Sequence, residues 1–345
     1  MSIDSVHLGE LAVLGALAAC PDGLTRKRLL AIATEAGVQG AETAVDGLAR
    51  RGHLRERRDL LRLTPGGIEA LLELHARLEQ SLDPSAPHAA HEGAQSIPWL
   101  TTVQTQWIDA LSFNYAVPQE ALATLLPAPL EPELHKGCAW IQVLVSSLRD
   151  LRPRGAPALF GVNFYQISYR AAVRYRGADG AWRRGGFFAR SDTNNEVMRT
   201  IGNRLAEFRF HDFGAATMSL LRQGEQLIVG VDPERARPGG KFVAVVPTTP
   251  LRGPPDGSVW DSLADLHEPL VECYDALGVD QDAGHVYILT VDRDPWNAVF
   301  VRPSNVYCEY VDTGPLAGAG ARLDSVLHIR RCEYHWRPLR RERFA

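Results

Sequence analysis

The spacing of the apolar residues changes near residue 97, and this change constrains the fold more than any single motif. Before residue 80 apolar residues recur three and four positions apart, which is typical of amphipathic helices. From Trp99 onward, β-branched and aromatic segments alternate with turns, which is typical of strands. Residues 81–97 (SLDPSAPHAAHEGAQSI) follow neither pattern. The sequence therefore predicts two domains, residues 1–80 and 98–345, joined by a linker over residues 81–97.

The length of the chain agrees with this division, and its net charge limits which partners it would attract. A chain of 345 residues is long for one core, and a net charge of -4 gives no overall attraction to nucleic acid or anionic membranes. The five cysteines are dispersed without a CxxC pair, which favours a reducing compartment over a disulfide framework. Because the sequence also lacks a signal-type start and a long uncharged apolar run, we expect a cytoplasmic protein without a membrane span.

Three helices are predicted at the start of the chain. Residues 6–20 carry leucines at helical spacing. Thr25 is placed to cap a second helix that stops near Gly37. A third helix, centred on Val45, stops at Gly52.

A short hairpin with a charged tip follows the third helix. Leu54 and the alternating residues 61–63 predict its two strands, and the sequence RERRD at 55–59 forms its tip. Thr64 then caps a last helix, which Pro65 opens.

The stretch LRLTPGGIEALLEL resembles the wing and last helix of MarR-type and PadR-type regulators. The resemblance covers roughly residues 5–80 and implies a winged helix-turn-helix. In such domains the third helix enters the major groove of DNA and the wing touches phosphates or the minor groove.

The charge of this domain leaves two interpretations open. Residues 1–80 hold ten basic and eleven acidic residues, whereas DNA-binding domains usually have a basic excess. Glu42 and Asp46, on the predicted recognition helix, would repel phosphate. The basic residues nevertheless cluster at helix ends and at the wing tip, where backbone phosphates would lie. The predicted DNA-binding residues are Arg26, Lys27, Arg28, Gln39, Thr43, Arg50, Arg51, Arg55, Arg57 and Arg58. The alternative is a dimerisation or protein-docking module.

The second domain is predicted to consist mainly of strands. The predicted strands are Trp107–Val117, Ala139–Ser147, Val162–Tyr175, Trp182–Arg190, Ala215–Leu221, Gln226–Val231, Phe242–Pro247, His285–Thr290, Val306–Val311 and Val326–Tyr334. One helix is predicted after Pro118, and a second at a capping box formed by Thr193 and Glu196. Many strands with few helices predict a closed barrel or a sandwich that encloses a cavity.

Five stretches of this domain resemble one family. In order and spacing they are similar to the YqjF-like family, which belongs with the acetoacetate decarboxylase-like fold. The stretches are LTTVQTQWIDALSFNYAVPQEALATLLP, GCAWIQVLV, RPRGAPALFGVNFYQISYRAAVRYRGADGAWRRGGFFARSD, SNVYCEYVDTGPL and LDSVLHIRRCEYHWRPL. The resemblance covers about residues 97–340. The whole chain is therefore predicted to be α+β: a winged helix-turn-helix plus a large, mostly antiparallel β-barrel or sandwich of acetoacetate decarboxylase-like type.

The resemblance also implies where catalytic groups would lie. Acetoacetate decarboxylases form a Schiff base on a lysine whose pKa is depressed by a neighbouring cation. The matching positions here hold Phe210 and His211, and Arg204 stands where that family has a glutamate. Because neither Phe nor His makes a stable Schiff base, and an arginine is never a free amine near neutral pH, we expect no Schiff-base decarboxylation. Lys136 and Lys241 lie outside the matching segment.

One face of the strand at 162–175 is predicted to bind a ligand. Gln166, Ser168 and Arg170 share a face, where they would hold a carbonyl or anionic group. The alternative is that this face is exposed to solvent. With the next strand end and the matching segment, the predicted ligand-binding residues are Gln166, Ser168, Arg170, Arg190, Arg204 and His211. The sequence has no P-loop, HExxH or GxSxG motif, and it predicts neither a cofactor nor a metal.

Three functional hypotheses remain. The first is a ligand-responsive one-component regulator, a homodimer in which the β domain binds a small metabolite and the winged helix binds double-stranded DNA. The second is an enzyme acting on a small carbonyl or carboxylate substrate, with His211 and Arg204 as the candidate catalytic residues. The third is a protein–protein adaptor.

Overall fold

The computed structural model describes two compact units. Contacts divide the chain into residues 1–104 with 150–163 and residues 105–149 with 164–345. The described residues are 10, 13–14, 17, 24–35, 40–67, 69–71, 73–74, 103–153, 161–195, 198–199, 213–337 and 340–344. The predicted linker lies outside them, and the predicted domain boundaries stay predictions.

The first unit contains two described helices and a three-stranded antiparallel sheet. Its elements are β1 (Leu24–Thr25), α1 (Arg26–Glu35), α2 (Ala41–Arg50), β2 (Leu54–Arg57) and β3 (Leu60–Leu63), and the sheet order is β1-β3-β2. The hydroxyl of Thr25 accepts a hydrogen bond of 3.3 Å from the Arg28 N–H, so it caps α1 as predicted. Leu29, Val45 and Leu48 are fully buried and form the core between the helices and the sheet.

The hairpin of the first unit turns on two residues in the left-handed region. Arg58 and Asp59 have φ angles of 52° and 61°, which is the backbone of a type I′ turn. The hydroxyl of Thr64 accepts a hydrogen bond of 3.1 Å from the Gly67 N–H and begins the next helical segment, as predicted. Strand β1 was not predicted. The winged-helix resemblance itself stays a prediction, and most of the first predicted helix lies outside the described residues.

The rest of the described chain is mostly strand. The strands are β4 (Val103–Val117), β5 (Glu131–Pro132), β6 (Ala139–Pro153), β7 (Val162–Arg176), β8 (Trp182–Thr193), β9 (Phe213–Gln223), β10 (Gln226–Pro233), β11 (Phe242–Pro247), β12 (Asp275–Asp280), β13 (His285–Arg293), β14 (Ala298–Val301), β15 (Asn305–Cys308), β16 (Arg322–Ile329), β17 (Cys332–Trp336) and β18 (Arg340–Arg343). The helices are α3 (Gln119–Ala123), α4 (Leu263–Leu266) and α5 (Glu309–Asp312), with a π-helical turn at His267–Val271. Among the described residues, no helix has both the length and the apolar character needed to cross a membrane.

These strands form one 15-stranded sheet that closes on itself. The hydrogen-bonded order is β15-β11-β10-β9-β8-β12-β13-β17-β4-β6-β7-β5, and β8 also pairs with β7. The path from β8 through β12, β13, β17, β4, β6 and β7 therefore returns to β8 as a ring. Most ladders are antiparallel, and β8 pairs in parallel with β9 and β12. The predicted mostly antiparallel β architecture is confirmed.

The two faces of the central strands differ in polarity. On β7, Ile167, Tyr169 and Ala171 are fully buried in the apolar core, whereas Ser168 and Arg170 point to the opposite face and are also buried. Neighbouring β4 and β6 alternate in the same way. This arrangement leaves a buried polar layer behind the apolar core, and that layer adjoins the candidate site.

Two predicted elements were wrong in detail. The strand predicted to continue to Val311 ends at Cys308, because α5 begins at Glu309; the carboxylate of Asp312, the last residue of α5, accepts a hydrogen bond of 2.9 Å from the Cys308 N–H. The capping box was predicted at Thr193, but Thr193 ends β8. The side chain of Asn195 instead accepts a hydrogen bond of 3.1 Å from the Met198 N–H.

Candidate functional site

A cavity of about 570 Å³ lies in the second unit, over strands β7, β8, β12 and β13. Gly185 lines this cavity, and a larger residue would not fit at its position. A Cβ at Gly185 would lie 2.6 Å from Leu277 Cγ and 2.8 Å from the Asp275 carbonyl oxygen. The lining residues are Glu133, His135, Ala172, Val173, Arg184, Gly185, Pro269, Glu272, Cys273, Tyr274, Asp275, Thr290, Arg337 and Arg340.

Glu133 supplies a buried carboxylate at one end of the cavity. Its N–H donates to the Ala172 carbonyl at 3.0 Å, which holds it beside β7. Its Oε1 lies 3.0 Å from Arg184 Nε, and its Oε2 lies 3.8 Å from Arg174 Nε. The Oε2 atom makes no hydrogen bond with any described residue. Glu133 is therefore held between two guanidinium groups.

Three arginines lie at the rim, and their side chains remain largely exposed. The exposed fractions are 65% for Arg184, 58% for Arg337 and 58% for Arg340. Asp292 accepts two hydrogen bonds from Arg337, of 2.7 and 2.6 Å, and these bonds raise the pKa of Arg337.

The other two acidic residues of the lining also have partners. Asp275 accepts a hydrogen bond of 2.5 Å from the Thr290 hydroxyl and another of 3.4 Å from Arg340 Nη2. Glu272 Oε1 lies 3.2 Å from His267 Nδ1. The exposed guanidiniums are thus the groups with the most unused donor capacity.

Cys273 forms the wall between the cavity and the buried polar layer. A Cβ at Gly186 would lie 2.6 Å from Arg170 Cδ and 3.4 Å from Cys273 Sγ, so both side chains approach the backbone of β8 at this glycine. Burial raises the pKa of the Cys273 thiol, and the nearby Arg170 charge opposes that rise. The neutral thiol is therefore the dominant form near pH 7.

Behind this wall, Arg170 is buried among neutral acceptors. Gln142 Oε1 accepts from both Nε, at 3.1 Å, and Nη2, and the Leu270 carbonyl accepts from Nη2 at 2.9 Å. Gln142 in turn donates to Asn114 Oδ1 at 3.0 Å and Ser112 Oγ at 3.2 Å. Burial lowers the pKa of Arg170. Among the described residues, no carboxylate pairs with this guanidinium.

Arg293 is a second cation in the same layer. Its guanidinium lies 4.7 Å from the Trp296 ring centre, and that of Arg170 lies 5.8 Å from the same ring. Arg293 also donates to the carbonyls of Val271 and Asp294. Two guanidiniums therefore flank one indole, and the hydrogen bonds found for them in this part of the chain end on neutral oxygens.

Arg190, in contrast, is paired with a carboxylate. It donates to Asp192 through Nε at 2.6 Å and through Nη2 at 3.3 Å, and to the Pro238 and Arg237 carbonyls at 2.7 Å each. Asp192 is fully buried. These four hydrogen bonds occupy Arg190 and hold the loop after β10.

The structure brings together only some of the residues predicted to bind a ligand. Ser168 and Arg170 are buried on one face of β7, and Gln166 is half-buried further along the strand, opposite Thr193. None of these three, nor Arg190, is among the residues that line the cavity described above. Arg204 and His211 lie outside the described residues. Their ligand contacts stay predictions.

Sequence reasoning missed Glu133, Cys273 and the rim arginines. They come from strand ends and connections that are distant in the chain, and no local motif marks them. The one available signal was the pair Gly185-Gly186 inside a predicted strand, since glycine there indicates close approach of another group.

The lysines of the second unit do not fit a Schiff-base role. Lys136 lies in a tight turn between His135 and Cys138, and its ammonium lies 3.1 Å from Asp261 and 3.0 Å from Asp265. These hydrogen bonds raise the pKa of Lys136, opposite to what a free amine requires. Lys241 does not line the cavity. In the described part of the chain, no three His, Cys, Asp or Glu side chains are grouped as a metal site would require.

Comparison with known families gives a match over most of the second unit. Residues 104–328 match DUF2071, described as an uncharacterized conserved protein. The chain belongs to the DUF2071 family. The YqjF-like part of the predicted resemblance is thereby confirmed. Residues of this chain are also 34% identical over 77 positions to the uncharacterized protein YqjF of Bacillus subtilis strain 168, covering 22% of the chain and 32% of that relative. The match thus spans about a third of the relative's length.

The DUF2071 chain is also similar to solved structures. One is an acetoacetate decarboxylase, 12% identical, with a TM-score of 0.47 over 69% of this chain and 88% of that one. Another is the acetoacetate decarboxylase of Legionella pneumophila, 13% identical, with a TM-score of 0.45 over 70% and 86%. A third is an acetoacetate decarboxylase-like enzyme from Sphingomonas wittichii RW1, 14% identical, with a TM-score of 0.45 over 70% and 92%.

Proposed function

We propose that this DUF2071 chain is a ligand-responsive regulator, in which the second unit binds a small molecule and the first unit binds double-stranded DNA. The observation that carries the ligand half is the cavity of about 570 Å³, lined by charged side chains that include three exposed arginines. Cavities of this size are typical of sites for small metabolites.

The exposed cations of the first unit support the DNA half. Lys27 and Arg28 are exposed on the first turn of α1, and Arg50 and Arg51 at the end of α2. Among these, Arg51 also lies 2.6 Å from Glu10. Cations at helix ends are placed to contact backbone phosphates.

The negative charge of Glu42 and Asp46 on α2 would repel DNA, but a neighbouring arginine offsets part of it. Arg26 lies 2.5 Å from Asp46 and 4.0 Å from Glu42. This arginine offsets their charge, although it is then less available to phosphate. Thr43 stays exposed on the same helix, whereas Gln39 lies outside the described residues.

The hairpin tip is the strongest candidate for a phosphate contact. Arg55, Arg57 and Arg58 are all exposed, and the type I′ turn projects them from the end of two short strands. This is how the wing of a winged helix-turn-helix would use its charge. Such regulators commonly act as dimers on two half-sites, so we propose a homodimer.

Fluorescence anisotropy with a labelled duplex from the region upstream of the gene tests the DNA half. We expect binding at low salt that weakens as salt rises, because phosphate contacts release counterions. The variant R55A/R57A/R58A should bind at least tenfold more weakly and have a shallower salt dependence. The control R252A/R302A/R331A removes three exposed arginines from the second unit and should bind as the wild type does. Absence of binding at low salt overturns the proposal and favours the adaptor hypothesis.

A second candidate function is an enzyme that acts on a small carbonyl or carboxylate substrate. The observation in its favour is that Glu133, His135 and Cys273 line one cavity. Glu133→Gln should then abolish turnover of such a substrate without unfolding the chain. Borohydride in the presence of a keto acid should trap no adduct, because the pKa of Lys136 is raised. Turnover by Glu133→Gln at the wild-type rate would remove this candidate.

A further inference from the structure

The lining of the cavity holds both acidic and basic residues, but the basic side chains are the more exposed. The side chain of Glu133 is only 8% exposed and that of Asp275 is 31% exposed, against 65% for the side chain of Arg184 and 58% for that of Arg340. A molecule that enters the cavity therefore meets mainly guanidinium N–H groups. Glu272, at 45% exposed beside His267, is the acid that opposes this trend.

Arg184 is oriented by an ion pair that uses only part of its donor capacity. Glu133 lies 3.0 Å from Nε, so the Nη atoms are left for another acceptor. Because Glu133 is buried beside β7, it holds the stem of Arg184 in place at the rim. An arginine positioned in this way loses little side-chain entropy when it binds an anion.

Arg340 provides a second donor group, beside Thr290. Arg340 Nη2 lies 3.4 Å from Asp275 and 3.5 Å from the Thr290 hydroxyl, which are long contacts. Thr290 in turn is tied to Asp275 at 2.5 Å. The remaining N–H groups of Arg340 make no hydrogen bond with a described residue, so they can turn toward an anion.

The layer behind the cavity adds positive potential. Arg170 and Arg293 lie behind Cys273, and their hydrogen bonds to described residues end on neutral oxygens. Arg170 is buried and Arg293 is half-buried. A buried cation without a carboxylate partner is costly, and an anion nearby lowers that cost. The field of these two groups therefore favours negative charge in the cavity.

We propose that the cavity binds a small organic dianion, such as a phosphate monoester or a dicarboxylate, held by Arg184 and Arg340. Guanidinium groups bind both phosphate and carboxylate with paired hydrogen bonds, and two separate arginines suit a ligand with two negative charges. This inference rests on the proposed ligand-binding function and names the chemistry of the ligand.

Isothermal titration of the full chain in a buffer free of phosphate tests the inference. The probes are glycerol phosphate against glycerol and succinate against succinamide, so that each dianion has a neutral counterpart of similar shape. We expect at least one dianion to bind more than tenfold tighter than its counterpart, with an affinity that falls as sodium chloride rises. The better dianion identifies phosphate or carboxylate as the preferred group.

Two variants locate the binding. R184Q and R340Q should each weaken the dianion at least tenfold, whereas R252Q, which removes an exposed arginine away from the cavity, should not change it. Thermal unfolding of each variant checks that it is folded. If R184Q does not fold, R184K, which keeps the charge but loses the paired N–H groups, replaces it and should also weaken the dianion. Dianions that bind no tighter than their neutral counterparts, or equally well to R184Q and R340Q, overturn the inference.

Failure of this inference is distinguishable from failure of the proposed function. Native mass spectrometry of the purified chain that finds a bound molecule without acidic groups overturns the dianion inference and leaves ligand binding intact. Dianion binding that depends on Arg184 but does not change affinity for the duplex supports the inference and contradicts the regulatory proposal.

Discussion

Two buried arginines, Arg190 and Arg170, show how the same sequence signal leads to different structures. Both lie on neighbouring strands and both were predicted to bind a ligand. Arg190 donates to the buried carboxylate of Asp192 and to two carbonyls. Arg170 donates to Gln142 and to the Leu270 carbonyl, which carry no charge.

This difference in hydrogen-bond partners indicates which of the two arginines can influence a ligand in the cavity. The charge of Arg190 is offset within about one hydrogen-bond length, so little of its field extends further. The charge of Arg170 is not offset by a described carboxylate and acts on Cys273 at the cavity wall. Arg190 therefore holds the loop after β10, and its predicted ligand contact stays a prediction, whereas the charge of Arg170 adds positive potential beside Cys273.

The largest effect that can test this comparison is expected for Asp192→Asn. The substitution leaves Arg190 buried without its carboxylate, which costs about 3–5 kcal/mol of the free energy of unfolding. Urea denaturation followed by tryptophan fluorescence measures it. Asp232→Asn, at an exposed position, is the matched control and should change stability little. Equal stability of the two variants would show that burial of Arg190 does not require the carboxylate of Asp192.

Arg170→Met should destabilise the chain less. The substitution leaves Gln142 Oε1 and the Leu270 carbonyl without a donor, which costs about 1–3 kcal/mol. Removal of a buried charge that has no carboxylate partner offsets part of this loss. The same urea titration checks it, and a loss as large as that of Asp192→Asn would show that Arg170 is also paired with an acid.

A still smaller loss is expected for Gly186→Ala. The added Cβ would lie 2.6 Å from Arg170 Cδ, so the arginine must shift and part of its network must move with it. Overpacking of this kind costs about 1–3 kcal/mol, and we expect about 1 kcal/mol because the arginine carbons are flexible. Differential scanning calorimetry measures this loss of stability. Gly253→Ala is the control, because a Cβ at Gly253 would meet no atom within 4 Å. Identical melting temperatures would argue against close contact at Gly186.

The smallest effect concerns the reactivity of Cys273. Because burial raises the pKa of its thiol, the thiolate fraction at pH 8 is lower than in an unfolded chain, and alkylation by iodoacetamide should be slow. Arg170 opposes this rise, so Arg170→Met should raise the pKa further and slow the reaction again. Quantitative mass spectrometry of the Cys273 peptide from pH 7 to 10 measures both rates. Arg190→Met should have no such effect, and faster alkylation in Arg170→Met would reverse the sign we assign.

Much of the local structure follows from the sequence. The caps at Thr25 and Thr64, the hairpin after Gly52 and the strand at Phe242–Pro247 lie where they were predicted. In each case neighbouring residues supply the whole signal, either through capping hydrogen bonds or through alternation of apolar side chains. Strand β12 was missed because Gly278 interrupts that alternation.

The candidate site could not be predicted to the same extent. Glu133, Arg184, Thr290 and Arg340 come from four separate segments, and no spacing in the sequence relates them. The predicted ligand face of β7 was identified as a face, yet the sequence left open whether it was buried. The closure of the sheet through β7 and β8 and the cover at Leu270 decided that.

The sequence by itself therefore determined the two kinds of local pattern and the family. Only the tertiary structure decided that Arg190 pairs with a carboxylate whereas no described carboxylate pairs with Arg170, and that Arg184 shares one cavity with Arg337 and Arg340. The physical reason is the sequence distance over which each kind of interaction acts. Capping and alternation act over a few residues, whereas charge compensation depends on which distant strands the closed sheet places side by side.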